Sequence, residues 1–321
     1  MALLREDKNF GEAIRAAASK LGLHAQFVEK DYWVTETLRT LSNRYAGHFT
    51  FKGGTSLSKG YRLIERFSED IDILVVANAG DTKAQHERKL IEMSRAVAED
   101  LGLALTEDPS PSQGWDASRA DLLSYQPKVA KTNETGLDEG GVLLETGFAG
   151  GEEPAEMVEI GALIWDGIEL GSDAYEDGQR FEVRALEPVR TCLEKVCGLH
   201  HLATTMLEEP NLDVPRVGRH YWDIDRLLQD KTVRKRLEDR DSFEQLVADV
   251  EHISAQHFNG CTPRPDRGYA TSPAFDPPDE IRGQLTALYN AASVLLPITG
   301  NAKWTSFGSL LKRIGQSADL L

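Results

Sequence analysis

Cysteine is scarce in this chain: Cys192, Cys197 and Cys261 are the only three in 321 residues. An odd number without metal-ligand spacing argues against a disulfide framework or a cysteine-ligated metal, and points to a reducing cytoplasm. Long apolar runs are missing too. No stretch approaches ~18 uninterrupted apolar residues, so no transmembrane helix is expected. The opening MALLREDKNF carries charges where a signal peptide would be apolar. Positive charge is in deficit: 36 Lys and Arg face 52 Asp and Glu, a formal net charge of −16. Strong non-specific nucleic-acid binding depends on basic residues neutralising phosphates. Any nucleic-acid contact must therefore be argued from a site, not from overall charge. A P-loop is excluded as well. Counted from Gly53, Ser58 replaces the second required glycine and Gly60 the required Ser/Thr. There is no internal repeat and no low-complexity tract.

What is present describes a soluble globular protein, 40% hydrophobic and 27% charged, long enough for one large domain or two ordinary ones. The most informative stretch is FKGGTSLSKGYRLIERFSEDIDILVV, from Phe51 to Val76. Phe51-Lys52-Gly53-Gly54 reads as a short strand broken by a glycine pair. Leu57, Tyr61 and Ile64 recur at spacings of four and three, which predicts a helix from Thr55 to about Glu65. Ser68 to Val76 reads as a strand. On it Asp70 and Asp72 share one face and Ile71 and Ile73 the other. Two carboxylates roughly 6–7 Å apart repel and are poor strand formers. A divalent cation would offset that repulsion, and Mg²⁺ typically takes one or two carboxylates plus substrate phosphates. A glycine pair leading into Thr55 and Ser56 at a helix start offers backbone N–H groups suited to phosphate. The two halves together predict a metal–nucleotide site.

This unit resembles the core of the polymerase-β-like nucleotidyltransferase superfamily, in which a Gly-Gly/Ser loop and a helix lead to Asp-x-Asp on the next strand. More narrowly, KGGTSLSK followed by RFSEDIDI is similar to the AbiEii/AbiGii-type nucleotidyltransferase toxins of type IV toxin–antitoxin and abortive-infection systems. Glu29-Lys30-Asp31-Tyr32-Trp33 matches a stretch that precedes the glycine loop there. The residues alone read it as a helix start with mixed charges and two packing aromatics.

The resemblance gives roles to further residues. Glu145, inside the apolar strand Val142–Phe148, stands where the superfamily places a third acid; an edge strand with Glu145 facing solvent is the alternative. Lys195 falls in a matching Leu-Glu-Lys context and would meet nucleotide phosphates as a point charge. Arg219 and Asp223, four apart on one helix face, read from the residues alone as a solvated ion pair; the resemblance matches them to an R-x-x-x-D signature, with Arg219 on the nucleotide side and Asp223 as the base or orienting carboxylate for the acceptor hydroxyl. Asp225 projects about 200° away on the same helix, so Asp223 is preferred. Gly53, Gly54, Thr55 and Ser56 would bind the triphosphate, and Lys59, Arg66 and Lys195 would offset its charge. Ser68 would bond a phosphate or itself be modified. Asp70 and Asp72 would hold Mg²⁺ or Mn²⁺.

Elsewhere, helices are expected to about Ala46, over about 83–101, 190–207, 219 onward, 242–256, 280–296 and 306–314. Strands are expected near 122–129, 142–148, 156–164 and 180–183, and loops over 107–118, 208–218 and 259–280. Arg264, Arg267 and Tyr269 of the last loop could reach a substrate. Arg234-Lys235-Arg236 reads as a solvated helix face and a minor candidate for RNA phosphate contact. The expected architecture is an α/β nucleotidyltransferase-like mixed sheet with flanking helices over 1–185. A helical domain over 186–321 would follow and close the cleft. The expected reaction is transfer of NMP from an NTP to an RNA acceptor, the tRNA 3′ end first, causing growth arrest in the cytoplasm. A cognate antitoxin is the implied partner and no membrane is involved; oligomeric state is left open. Transfer of nucleotide or phosphate to a protein hydroxyl is the alternative.

Overall fold

The computed structural model describes residues 2–68, 70–107, 118–130, 140–168, 172–209, 212, 217–257, 261–295 and 304–321. The chain divides into two compact units, one taking in Met1–Leu186 and the other Glu187–Leu296 and Lys303–Leu321.

The first unit opens with helices α1 (Phe10–Leu21) and α2 (Ala25–Tyr45). Strand β1 (Phe49–Lys52) runs into a three-residue helix α3 (Gly53–Thr55), which continues as a π-helical turn over Ser56–Gly60. Strand β2 (Asp70–Val75), helix α4 (Lys83–Leu101), strands β3 (Ala104–Thr106), β4 (Ser118–Ser124), β5 (Gly141–Gly147) and β6 (Ala155–Ile160), helix α5 (Leu163–Gly167) and strand β7 (Phe181–Leu186) follow. The strands form one mixed seven-stranded sheet in the order β3-β4-β5-β2-β1-β7-β6. Strand β2 lies between antiparallel β1 and parallel β5.

Alternation along these strands separates two faces. Phe49 and Phe51 of β1, Ile71, Ile73 and Val75 of β2, and Val142 and Leu144 of β5 are buried in one core with residues of α1, α2 and α4. The other face carries Lys52, Asp70, Asp72 and Glu145.

Three expectations need correction. The helix from Thr55 does not reach Glu65: it ends at Gly60, and Arg62 takes a left-handed φ of 56°. Leu57 and Ile64 are both buried, so the apolar spacing was real, but Ile64 reaches the core from irregular chain. The strand expected near 122–129 lies at 118–124. Of the loop expected over 107–118, residues 108–117 lie outside the described residues, and Ser118 already belongs to β4.

Glu29 to Trp33 is a structural block on α2. Glu29 accepts from the backbone N–H of Lys128 at 2.6 Å and of Val129 at 3.3 Å. Tyr32 donates to the buried carboxylate of Asp177, which also accepts from the Leu4 N–H. Trp33 stacks on Tyr125 with centroids 5.2 Å apart. The motif therefore pins one helix to several distant loops.

The second unit is helical: α6 (Pro188–Glu208), α7 (Arg219–Leu227), α8 (Lys231–Glu238), α9 (Arg240–His257), α10 (Asp279–Ala291) and α11 (Phe307–Gly315). Pro188 starts α6 at a position where its missing N–H costs nothing. The segment after Cys261 is laced to α6. His200 bonds Ser272 Oγ at 2.8 Å and the Pro263 carbonyl at 3.0 Å, and His201 bonds Thr262 Oγ1 at 2.9 Å. Cys197 and Cys261 are free thiols with sulfurs 3.5 Å apart.

Burial pushes the His200 imidazole below its ordinary pKa. The folded state then binds fewer protons than the unfolded chain below about pH 6.5, and stability falls as pH drops through that value. The Tm of the wild type should therefore fall more steeply than that of His200→Gln between about pH 7.5 and 5.5. Burial raises the carboxyl pKa of Glu29 and Glu36, so both act in the opposite direction. They are common to both proteins and cancel in the comparison.

Candidate functional site

The site is built where β1 ends. Register pairs Lys52 of β1 with Asp72 of β2, and Asp72 with Glu145 of β5. Ala120 of β4 faces Glu145 in turn. Paired residues share a face, so one cation and two carboxylates stand side by side across three strands, with Asp70 one pleat along. Asp70 is buried; Asp72 and Glu145 are half-buried. Glu145 is thus on an interior strand of the sheet, beside Asp72, and not on an edge.

The glycine pair closes over this row. Gly53 has φ +75°, and a Cβ built there would lie 1.8 Å from Asp72 Oδ2. Only a residue without a side chain lets the backbone come so close to the carboxylate. A Cβ on Gly54 would lie 2.6 Å from Arg66 Nη2 and 2.8 Å from Ser68 Oγ. The loop therefore touches Asp72 on one side and Arg66 and Ser68 on the other. Thr55 and Ser56 use their hydroxyls inward: Thr55 donates to the Asp70 carbonyl, and Ser56 to the Gly53 carbonyl at 2.9 Å. Arg66 is 1% exposed and donates to the Phe67 carbonyl at 3.1 Å.

Lys59 is not an open cation. Its Nζ lies 2.6 Å from Asp31 Oδ1 and 3.0 Å from the Gly161 carbonyl, while Asp31 Oδ2 accepts from the Leu163 N–H at 2.7 Å. The expected offset of nucleotide charge by Lys59 is therefore largely met within the protein by Asp31. Both side chains are under 10% exposed. Removing one partner of a buried pair leaves the other charge uncompensated, which costs about 3–5 kcal/mol. Asp31→Ala should lower stability by that amount, and Asp31→Leu combined with Lys59→Met should recover most of it. Chemical denaturation of the single and double variants measures the difference.

Hard oxygen donors on one face, with backbone in place of a side chain at Gly53, suit a divalent cation. Among the described residues no three His, Cys, Asp or Glu side chains converge to hold an ion by themselves. Asp70 and Asp72 supply two carboxylates, and a cation there would have to take its remaining oxygens from substrate and water, as Mg²⁺ can.

In the second unit Lys195 of α6 and Asp223 of α7 form a buried ion pair, Nζ to Oδ2 3.1 Å. Cys192 packs beside them, its thiol pushed up to about 12 by burial. Asp225 is occupied elsewhere, in a two-pronged contact with Arg313 at 2.9 and 2.8 Å. Arg219 is half-buried at the start of α7. Arg264 and Tyr269, read from sequence as able to reach a substrate, are instead tied to Glu244 and Glu251. The arginines of the basic stretch are likewise engaged. Arg234 bonds the Leu228 carbonyl and Ser317, and Arg236 pairs with Glu187 at 2.8 Å. Sequence reasoning missed Lys52, whose place beside Asp72 depends on strand register. It also missed Asp31 as the partner of Lys59, 28 residues away in the chain.

The mixed sheet thus sets a glycine pair against an Asp-x-Asp strand, with Glu145 on the next strand. The profile of the AbiEii family, described as nucleotidyl transferase AbiEii toxin of type IV toxin–antitoxin systems, matches residues 38–293. The chain belongs to that family and is a nucleotidyltransferase of the toxin class. Among solved structures it is similar to the MenT4 nucleotidyltransferase toxin of Mycobacterium tuberculosis H37Rv. The match has 15% identity and a TM-score of 0.55, over 96% of this chain and 88% of that one. At that identity the likeness concerns the fold. No curated protein sequence matches. Among the described residues no helix is long and apolar enough to cross a membrane.

Proposed function

We propose that this toxin transfers NMP from an NTP to the 3′ hydroxyl of an RNA, with the tRNA 3′ end as the first candidate, and that growth arrest in the cytoplasm follows. The observation that carries the reading is the contact of the Gly53 backbone with the Asp72 carboxylate, at the end of a row that includes Glu145. Asp70 and Asp72 hold Mg²⁺ or Mn²⁺, with Glu145 beside them. When bound, the cation supplies positive charge against the triphosphate. The backbone of Gly53, Gly54 and Thr55 takes the phosphates, Ser56 holds the turn with its N–H and hydroxyl on the Gly53 carbonyl, and Ser68 adds a hydroxyl. Arg66, buried beneath Gly54, acts on them through its field, with Lys59 a minor contributor because Asp31 matches it. Arg219 meets the nucleotide, with Lys195 a minor contributor because Asp223 matches it. Asp223 orients the acceptor hydroxyl and takes its proton. The acceptor oxygen bonds to the α-phosphorus, the α–β bridging bond breaks and pyrophosphate leaves. A cognate antitoxin restrains the activity.

One observation favours a second reading. The arginines of the basic stretch are spent on protein partners, and net charge is −16. A protein hydroxyl is then the alternative acceptor. Incubation with Mg²⁺, each α-³²P-labelled NTP in turn and total tRNA separates the two. Label in RNA supports the first, label in protein alone the second, and label in neither with any NTP rejects both.

A further inference from the structure

A cavity of about 310 Å³ lies between α2, the π-helical turn, the 61–68 segment and the connection from β6 to α5. Ile64, Phe67 and Leu163 give it apolar walls. Thr55 and Ser68, which also line it, belong to the carboxylate site. Thr55 donates to the Asp70 carbonyl, and Ser68 lies against Gly54 two residues before Asp70. The cavity therefore adjoins the reacting centre without including the two aspartates.

Arg62 also lines it. Among the described residues it is the one non-glycine with positive φ, at 56°. For a residue with a side chain that conformation costs about 1–2 kcal/mol. Among the described residues the guanidinium makes no hydrogen bond or ion pair, so no contact there offsets the strain. Glu65, exposed, stands on the same wall. Lys59 and Asp31 border the space as well but neutralise each other. Asp166 lines it too but pairs with Arg180 at 3.2 Å, and the Ser58 hydroxyl donates to the Thr55 carbonyl, so the Arg62 guanidinium and the Glu65 carboxylate are the charged groups left to a ligand beside apolar surface. A polyphosphate would need several cations and little apolar wall. A nucleobase matches better, having a flat apolar ring and an edge that both donates and accepts. The volume falls at the lower end of the roughly 300–1,000 Å³ typical of ligand pockets, which suits a single nucleoside.

We propose that this cavity receives a nucleoside. The ring lies against Phe67 and Ile64, its polar edge meets Arg62 and Glu65, and the ribose is directed toward Thr55 and Ser68. This rests on the nucleotidyl-transfer reading and deepens it. The nucleoside belongs either to the incoming NTP or to the terminal nucleotide of the acceptor.

Two variants test it. Arg62→Gly removes the guanidinium and suits the left-handed backbone, so folding is preserved. Leu163→Trp fills the cavity. Hydrogen exchange of segments 55–68 and 161–168 is followed with each free nucleoside at millimolar concentration, which requires no turnover. Protection is expected in the wild type with at least one nucleoside and is lost in Leu163→Trp. In the transfer assay both variants should raise one KM by about tenfold or more while kcat stays within about threefold, the amount expected when one binding contact is removed. A raised KM for NTP identifies the incoming nucleotide; a raised KM for RNA identifies the acceptor. Unchanged exchange in the wild type with all four nucleosides overturns the proposal. So do both KM values staying within about twofold in both variants. A wild type that transfers no label defeats the transfer reading instead, and the exchange experiment still decides whether the cavity binds nucleosides.

Discussion

Replacing Asp72 with asparagine is expected to slow NMP transfer about 1,000-fold while leaving the protein folded, with Tm unchanged or slightly raised. The two effects have one origin. Asp72 stands in register with Glu145 and one pleat from Asp70, so like charges crowd a single face of the sheet. In the free protein that crowding is unfavourable, and Lys52 on the neighbouring strand offsets part of it. Asparagine keeps the shape and removes one charge, so stability should not suffer. Activity should, because removing a group that stabilises charge in the transition state costs about 2.7–4 kcal/mol, or 100- to 1,000-fold. Transfer from α-labelled NTP and a thermal melt on the same preparation measure both. Wild-type transfer by Asp72→Asn would remove Asp72 from the chemistry. Glu145→Gln refines the picture: a similar loss makes Glu145 a working third acid, and a change within about threefold makes it a neighbour only.

The sequence carried the centre of this site because its signals are local. Asp70 and Asp72 alternate with Ile71 and Ile73 within one strand, so the two faces could be read from a period of two. The glycine pair is likewise written in adjacent positions. Lys52, Asp72 and Glu145 could not be aligned from sequence, since their meeting depends on which strands pair and in which register. The same limit explains Lys59. A lysine near a glycine loop reads as a phosphate ligand until a carboxylate from another helix is found 2.6 Å away. Glu29 to Trp33 is the converse. The resemblance marked the stretch, and the contacts give it a packing role: a carboxylate on two loop amides, an aspartate on a lysine, a tyrosine on a buried acid. The helix from Thr55 was overextended because Leu57 and Ile64 satisfy helical spacing. Burial supplies that pattern without a helix once the chain turns at Arg62. In the second unit, Lys195 and Asp223 were each singled out, but their pairing needed the packing of α6 on α7.

Gly53→Ala should cost activity out of proportion to the single methyl it adds. At φ +75° alanine pays about 1–2 kcal/mol for the left-handed backbone alone. The added carbon would also lie 1.8 Å from Asp72 Oδ2, far inside contact distance, so either the carboxylate rotates away or the end of β1 moves. Rotation displaces the carboxylate on which the proposed chemistry rests. Movement of β1 disturbs the pairing of Lys52 with Asp72. Both routes lead to loss of transfer of at least about 100-fold, since small misplacements of reacting groups cost about that much. The stability loss should be about 2–3 kcal/mol, the size typical of overpacking plus backbone strain. Gly53→Ala combined with Asp72→Ala separates the two costs. Removing the carboxylate opens the space, so stability should recover to within the backbone penalty while activity stays absent. If Gly53→Ala by itself is as stable and as active as the wild type, the loop does not press on Asp72 in solution. The glycine pair would then be a turn and nothing more.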